Sequence, residues 1–407
     1  MKAANVSRIL ALVLAAIAAG CGGGADQVAG VSTGGSGVAS GTVSGFGSII
    51  LDGDRYDETG AIFEIEDDPR AAAPRVVGGG ARLGERVEAT VRANGSVERV
   101  RIEPALIGPS RDPDLLQMTL RVAGQVVKVN LNPNAGPVTL LDLPTFEAIM
   151  TGGNLQVHGM PVFDGASGSY RLHASRIESV SSAPNLVRTS GVVSALTDSD
   201  FQLGDLKVQL PAGGALVVPA NRTLANGQHV TVWGTALTGT PPAQTLDAVA
   251  VRIRALPPTT AGGPPTFVAG TVGKLDSANL SFDLAGVTVD ARNASVVPAG
   301  QGLVLADGQY VIARGTVNAS GTLVAQQVRI RRKLNNEPEI ELRGTITNYV
   351  SDSNFRVRGT LVDASGVTSR PSCPVQLGND LVVQIVGGVL SGSQDVVTAE
   401  RLSCPGN

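Results

Sequence analysis

An arginine followed by an apolar residue recurs along this chain at intervals of 75, 76, 77 and 72 residues. Each repeat also opens with a glycine, one further residue and a β-branched residue. Self-similarity at a nearly fixed spacing is typical of tandem copies of one structural unit, so the sequence predicts five modules. The opening glycines are Gly41, Gly124, Gly191, Gly270 and Gly344, and the closing pairs are Arg101-Ile102, Arg176-Ile177, Arg252-Ile253, Arg329-Ile330 and Arg401-Leu402.

Alternation of apolar and polar residues indicates β-strands inside each module. In "GERVEATV" and "GQHVTVWG" every second residue is apolar, which places these side chains on one face of a strand. Short strands of the form Phe-x-Leu/Val are predicted at 201–203, 282–284 and 355–357. No stretch shows a period of 3.6, so we expect little helix. The predicted inward pairs are Val87/Ala89, Leu155/Val157, Val230/Val232, Val311/Ala313 and Val383/Ile385.

Composition favours the same fold class. Gly 51, Pro 23 and 43% hydrophobic residues are typical of many short elements joined by turns, as in all-β proteins. Five or six strands with one apolar face close most economically into a small barrel, because closure removes exposed strand edges. An open two-layer sandwich is the alternative arrangement.

The N-terminus predicts export and lipid attachment. Basic residues precede an apolar run that is too short to span a bilayer, and the run ends in "AAGC", which resembles the lipobox of bacterial lipoproteins. Cys21 would then carry the lipid, and a plain secretory signal is the alternative. By resemblance to other lipoproteins, Gly22 after the cysteine favours the outer membrane of a Gram-negative cell envelope, facing the periplasm or the cell surface.

A family resemblance rests on "GTVSGFGSIILDGDRYDETGAIFEI" at 41–65, followed by "LGERVEATV" and "ERVRIE". These segments resemble DUF5666, a bacterial domain of unknown function that occurs in tandem in exported lipoproteins. The resemblance covers most of residues 40–407, is strongest in module 1, and implies an all-β chain of five small OB-like β-barrel modules. It implies no catalytic residues. The predicted divisions are 1–20 signal peptide, 21–39 flexible Gly/Ser tether, 40–109 module 1, 118–186 module 2, 187–255 module 3, 256–266 Pro-rich linker, 267–333 module 4 and 341–407 module 5.

Two cysteines remain in the exported part of the chain. Cys373 and Cys404 both lie in the last module, and an oxidising compartment favours a disulfide between them. A redox or metal pair is the alternative, but neither CxxC spacing nor a nearby histidine supports it.

Few residues of the sequence are suited to catalysis or to binding nucleic acid. The chain has three histidines, His158, His173 and His229, without a frame such as GxSxG around a nucleophile. His158 and His229 are predicted on the outer face of a strand, as surface residues. A net charge of −3 and 13 aromatic residues argue against phosphate-backbone binding and against stacking platforms. We therefore expect no enzyme, no cofactor, no metal and no nucleic acid.

Charged residues suggest two further hypotheses, each with a plainer alternative. An acidic run in module 1 could bind calcium, but it lacks the D-x-D-x-D-G order, so solvated turns explain it better. The five repeated arginines could form a ligand-binding stripe, but cross-strand ion pairs or solubilising edge residues are the favoured interpretation. The acidic residues are Asp52, Asp54, Asp57, Glu58, Glu66, Asp67 and Asp68.

The single tryptophan gives the candidate interaction surface. Trp233 is predicted on the outer face of its strand with His229, and exposed tryptophan often marks a contact. Packing of Trp233 against a neighbouring module is the favoured alternative.

Taken together, these features predict a non-enzymatic, lipid-anchored envelope protein whose modules form a string and act as a spacer or as a scaffold for an envelope protein partner. Binding of a small molecule, a glycan or calcium is the second hypothesis.

Overall fold

The computed structural model describes residues 36–132, 138–142, 152–165, 168–180, 184–261, 263–297, 304–331, 340–389 and 396–405. Within these residues the chain forms β-strands and no helix, which confirms the predicted all-β class. The same residues contain no helix of the length and apolar character needed to cross a membrane. The signal peptide and Cys21 lie outside the described residues, and the predicted tether overlaps the first strand, which begins at Ser36.

Module 3 shows the strand arrangement most completely. Its first three strands form two antiparallel hairpins, and the third strand pairs in parallel with the last. The last strand pairs with the fifth, and the fifth pairs with the first, so the pairings return to their starting strand. The strands are β14 (Val187–Ser194), β15 (Asp200–Leu203), β16 (Leu206–Gln209), β17 (Leu216–Val218), β18 (His229–Thr238) and β19 (Thr245–Ile253).

The other modules repeat this order. Module 1 contains β1 (Ser36–Phe46), β2 (Ile49–Leu51), β3 (Asp54–Tyr56), β4 (Ile62–Ile65), β5 (Arg75–Val76), β6 (Arg86–Arg92) and β7 (Val97–Ile102). Module 2 contains β8 (Leu106–Asp114), β9 (Thr119–Val122), β10 (Gln125–Lys128), β11 (Leu140–Asp142), β12 (Gly153–Asp164) and β13 (Ser169–Val180). Module 4 contains β20 (Thr266–Asp276), β21 (Ser281–Leu284), β22 (Val287–Asp290), β23 (Ser295–Val297), β24 (Tyr310–Val317) and β25 (Leu323–Ile330). Module 5 contains β26 (Ile340–Ser351), β27 (Asn354–Val357), β28 (Thr360–Asp363), β29 (Val382–Val389) and β30 (Val396–Ser403).

One glycine-marked turn explains an error in the predicted module boundaries. Between the second and third strands of module 2, Ala123 and Gly124 have φ angles of 47° and 84°, the left-handed conformation that a two-residue hairpin turn requires. Gly124 therefore belongs to a turn and does not open the module. Module 2 begins instead with β8 at Leu106, ahead of the predicted start at 118. The prediction missed this start because Gly108 of β8 does not begin a Gly-x-β-branched pattern.

The predicted apolar face lines the cores. Val87, Ala89, Val230 and Val232 are at most 3% exposed, and the corresponding residues of the other modules are equally enclosed. Modules 2, 3 and 4 each have a core of their own, whereas modules 1 and 5 share one cluster that includes Phe46 and Leu342. Burial of these branched aliphatic side chains supplies most of the stabilisation, at about 25 cal/mol for each Å² of apolar surface removed from water.

The predicted string of modules is wrong, because module 1 contacts all four of the others. Strand β1 pairs in parallel with β20 at Ala39 and Phe267, and with β26 at Gly45 and Glu341. Modules 1, 4 and 5 thereby share one sheet network, while modules 2 and 3 share a second. The proline-rich linker also packs on module 4, where the Thr259 N–H donates to the Val317 carbonyl at 3.0 Å.

Cys373 and Cys404 form a disulfide with a Cα–Cα distance of 4.8 Å. Cys404 follows the last strand and is fully buried in the core shared by modules 1 and 5. The disulfide thus holds the loop before β29 against the end of the described chain.

Candidate functional site

Carboxylates of module 1 receive arginines from the other modules. Glu66 pairs with Arg252 of module 3 at 2.5 Å, and Asp54 pairs with Arg314 of module 4 at 2.6 Å. Glu58 is bonded to Arg358 of module 5. A cation such as Ca²⁺ would have to displace these guanidinium groups from the oxygens it needs, so Asp54, Glu58 and Glu66 form an inter-module contact surface. Asp57, Asp67 and Asp68 bond to nearby residues of module 1 in exposed turns, as predicted.

The repeated arginines take part in the same contacts. Arg176 donates through Nη1 to the Leu83 carbonyl of module 1 at 3.2 Å, and Arg329 reaches Asp54 at 3.3 Å. Arg101 remains inside module 1, 3.8 Å from Glu64, and Arg401 is exposed. Arg101 and Glu64 form the predicted kind of cross-strand ion pair, but three of the other arginines point at a neighbouring module, because the outer face of a closing strand is covered by that module.

The predicted interaction surface at Trp233 is wrong, because the ring is 1% exposed. It packs against Leu186 and Ala250, with the Arg188 guanidinium 4.9 Å from the ring centroid. This is the packing alternative. His229 is half-buried, meets the Tyr170 ring edge-on at 5.1 Å, and has its pKa lowered to about 4 by burial.

A crevice of about 1060 Å³ opens where modules 1, 2 and 5 meet. Its walls include the loop before β6, the end of β13 and the hairpin between β27 and β28. Three of its lining charges are buried, namely Glu85, Arg176 and Glu178, with exposures of 4%, 3% and 7%. Charges are seldom buried without a partner, so the bonds among these groups decide what the crevice can do.

The buried charges bond to one another through short contacts. Glu178 Oε1 accepts from Arg176 Nε at 2.5 Å and from Arg82 Nη1 at 2.7 Å. Glu178 Oε2 accepts from the Gln156 amide at 3.1 Å. Glu85 Oε2 accepts the backbone N–H of Arg82 at 2.8 Å. These bonds satisfy Glu178 fully and leave Glu85 with a single strong donor.

Burial shifts the proton equilibria at this junction. It raises the pKa of Glu85 to about 7, and the nearby Glu178 carboxylate adds to the shift. It also holds the pKa of His158 well below its ordinary value, as do the surrounding arginines, of which Arg176 acts most strongly. His158 is fully buried and neutral, which corrects its predicted place on the surface. Glu85, in contrast, changes charge near neutrality.

A metal ion is poorly matched to this junction. Ligand atoms of Glu85, His158 and Glu178 lie within 4.8 Å of one another, which is the spacing that a bound cation needs. However, the His158 Nδ1 faces the backbone N–H of Arg86 at 3.3 Å, and its Nε2 faces the Gln156 amide at 3.0 Å. The Nδ1 lone pair is thus already directed at an N–H group, the other ring nitrogen of the neutral imidazole carries a hydrogen, and two guanidinium groups beside Glu178 would repel a cation.

The buried carboxylates of this crevice were not predicted as site residues from the sequence. Glu178 lies two residues after the repeated Arg176, on the same face of its strand, and this spacing was the available signal. Glu85 is the last residue of the glycine-rich stretch "GGGARLGE", and its burial depends on module 2 lying against this stretch. Sequence analysis selected Arg176 only as a repeated surface residue.

Comparisons with known proteins add little about chemistry. Among solved structures, drosophila Unr CSD456 is similar at 14% identity and a TM-score of 0.14, covering 48% of this chain and 88% of that chain, a level that carries no argument. No curated protein matches the sequence. The resemblance to DUF5666 was predicted to be strongest in module 1, but the family match lies in module 4. Residues 269–329 match the family model described as "Domain of unknown function (DUF5666)".

Proposed function

We propose that this protein is a non-enzymatic, lipid-anchored protein of the cell envelope that serves as a rigid scaffold for other envelope proteins. One observation carries the proposal. Every other module contacts module 1, through pairs such as Arg252–Glu66, Arg314–Asp54 and Arg358–Glu58. A body held in this way presents its outer surfaces in fixed relative positions, which suits a scaffold better than a spacer.

The proposal includes the finer description of the modules as OB-like barrels. The strand pairings of module 3 return to β14, and the third and last strands pair in parallel. In modules 2, 4 and 5 the strand pairings also lead back to the first strand. In module 5, for example, β28 pairs in parallel with β30 and β29 pairs with β26. In module 1 the parallel pairing between the third strand region and the last strand region is reduced to an isolated β-bridge between Asp57 and Ser96.

Solution scattering tests whether the modules form one body. A compact chain of this size has a radius of gyration of about 21 Å, whereas the same modules in a line would exceed roughly 30 Å. We expect the compact value for the wild-type protein. A double variant, Asp54→Asn with Glu66→Gln, should expand, and the control Asp68→Asn should not, because among the described residues the ion pair of Asp68 is with the nearby Arg70.

Crosslinking in intact envelopes tests the scaffold. The wild-type protein should capture a defined set of partners, the expanding double variant should lose them, and Asp68→Asn should retain them. A Cys21→Ser variant should leave the membrane fraction if the lipid anchor is correct. Recovery of no partner by the wild-type protein, or equal recovery by all variants, would reject the scaffold.

A further inference from the structure

The crevice between modules 1, 2 and 5 has exposed cationic groups with donors to spare. Arg82 of module 1 uses Nη1 for its contacts with both Glu178 and Asp142, and its side chain is 60% exposed. Arg356 of module 5 is exposed and uses Nη1 to donate to the Gly359 carbonyl at 2.6 Å. Within the described residues Arg356 has no acidic partner. Each guanidinium therefore keeps N–H groups directed at no acceptor of the described chain.

The carboxylates of the crevice do not cancel these charges. Glu178 is bonded to two arginines, and Asp142 lies 3.7 Å from Arg82. Arg75 and Arg358 also line the crevice and are paired with Asp67 and Glu58, which do not line it. The third lining carboxylate, Glu85, is buried and accepts the backbone N–H of Arg82, and burial raises its pKa to about 7, so it is only partly charged at neutral pH. Among the described residues Arg356 therefore keeps an unpaired positive charge, and Arg82 keeps a partly open guanidinium on the same crevice.

A glycine loop supplies neutral donors on the same wall. Gly78, Gly79 and Gly80 line the crevice, and Gly79 and Gly80 have φ angles of 90° and 80°. A side chain added at Gly78 or Gly79 would meet no atom within 4 Å, so the backbone there is open to a ligand. Their N–H groups donate to no acceptor among the described residues. Open backbone N–H groups next to cationic side chains form a common setting for anions.

We propose that this crevice binds a small organic anion bearing carboxylate or phosphate groups, held between Arg82 and Arg356 and by the backbone of Gly78–Gly80. The two arginines come from different modules, so a ligand with two anionic groups fits better than one with a single group. The volume of about 1060 Å³ far exceeds what inorganic phosphate fills, so the crevice has room for an organic anion. The site requires no protein partner and is independent of the scaffold function.

Titration calorimetry at fixed ionic strength tests the site with citrate and sodium phosphate as probes and glucose as the neutral control. We expect saturable binding of one anion per chain for citrate, for phosphate or for both, and none for glucose. The citrate and phosphate titrations show which anionic group is preferred. Arg356→Gln should weaken the binding about tenfold or more, because it removes a charge-assisted contact.

Arg401→Gln is the matched control, since Arg401 is an exposed arginine of the same module that does not line the crevice. It should leave the dissociation constant unchanged, and both variants should melt at the wild-type temperature. The proposal is overturned if neither anion gives saturable binding up to about 10 mM. A dissociation constant above that concentration would be weaker than the millimolar values expected of a specific site. It is also overturned if Arg401→Gln weakens binding as much as Arg356→Gln, because the attraction would then be general.

Discussion

Arg252 of the closing strand of module 3 and Glu66 of module 1 lie 2.5 Å apart, although 186 residues separate them in the chain. The side chains are 24% and 14% exposed, so solvent screens the pair only in part. The Arg188 side chain reinforces the junction by donating to the Glu66 carbonyl at 3.2 Å. Arg188 itself is buried, and burial lowers its pKa to about 10, so it still carries its charge at neutral pH.

A double-mutant cycle on Arg252→Gln and Glu66→Gln should give a coupling free energy of about 1 kcal/mol in urea denaturation, because the pair is half-buried. High salt should reduce this coupling. The pair Arg292–Asp290 is the control, since Arg292 is 63% exposed, and its coupling should be close to zero. Equal coupling for the two pairs would contradict an assembly held by the junction.

Glu85 should make stability fall as pH rises through neutrality. Its native pKa of about 7 lies above the unfolded value of 4.5, so the native state binds more protons between these values. The stabilisation is complete below about pH 4.5 and is lost as pH rises through 7, with a total on the order of 3 kcal/mol. The difference between the wild-type protein and Glu85→Gln isolates this effect, because other groups titrate equally in both. A difference that stays constant from pH 4.5 to 8 would refute it.

Trp233 should act as a reporter of the contact between module 3 and Leu186, the residue directly before its first strand. It is the only tryptophan of the chain and is 1% exposed, so its fluorescence should be insensitive to a soluble quencher in the native state. Trp233→Ala should lower the free energy of unfolding by about 3 kcal/mol or more, and Trp233→Phe by less. Strong quenching in the native protein would contradict the burial.

Reduction of the disulfide should destabilise module 5. Cys373 and Cys404 are 31 residues apart, and closing a loop of this length restricts the unfolded chain by roughly 3 to 4 kcal/mol. The double variant Cys373→Ser/Cys404→Ser should show the same loss without reductant, and its melting should not respond to reductant. Unchanged melting of the wild-type protein after complete reduction would argue against a stabilising role.

The face of a strand on which each side chain lies could be predicted from the sequence, but the solvent exposure of the outer face could not. The two-residue alternation correctly identified Val230 and Val232 as inward, because it depends only on local geometry. The same alternation put Trp233 and His158 on the opposite face, and this too is correct. Their exposure was predicted wrongly because another part of the protein covers that face, and alternation within one strand contains no information about such a cover.

The candidate crevice was harder still to predict. Glu85 and Glu178 belong to different modules, and they approach each other where module 2 docks on module 1 through contacts such as the Arg176 bond to the Leu83 carbonyl. The signal that the sequence did contain was complementarity, with acids concentrated in module 1 and an arginine repeated at the end of each module. From the sequence, the acids were predicted to lie in solvated turns and the arginines to form cross-strand ion pairs or solubilising edges, so the attraction between the two sets was not considered.

The parallel pairing of β1 with β20 and β26 also sets an order for maturation. The partner residues Phe267 and Glu341 follow Ala39 and Gly45 by more than 200 residues, so the first strand is synthesised long before either partner. Until then its outer edge has open backbone groups, the feature that promotes unwanted strand association. Such distant contacts also slow folding. A truncation that removes module 5 would therefore leave β1 without its partner at Gly45 and Phe46, while its pairing with β20 at Ala39 and Ser40 would remain.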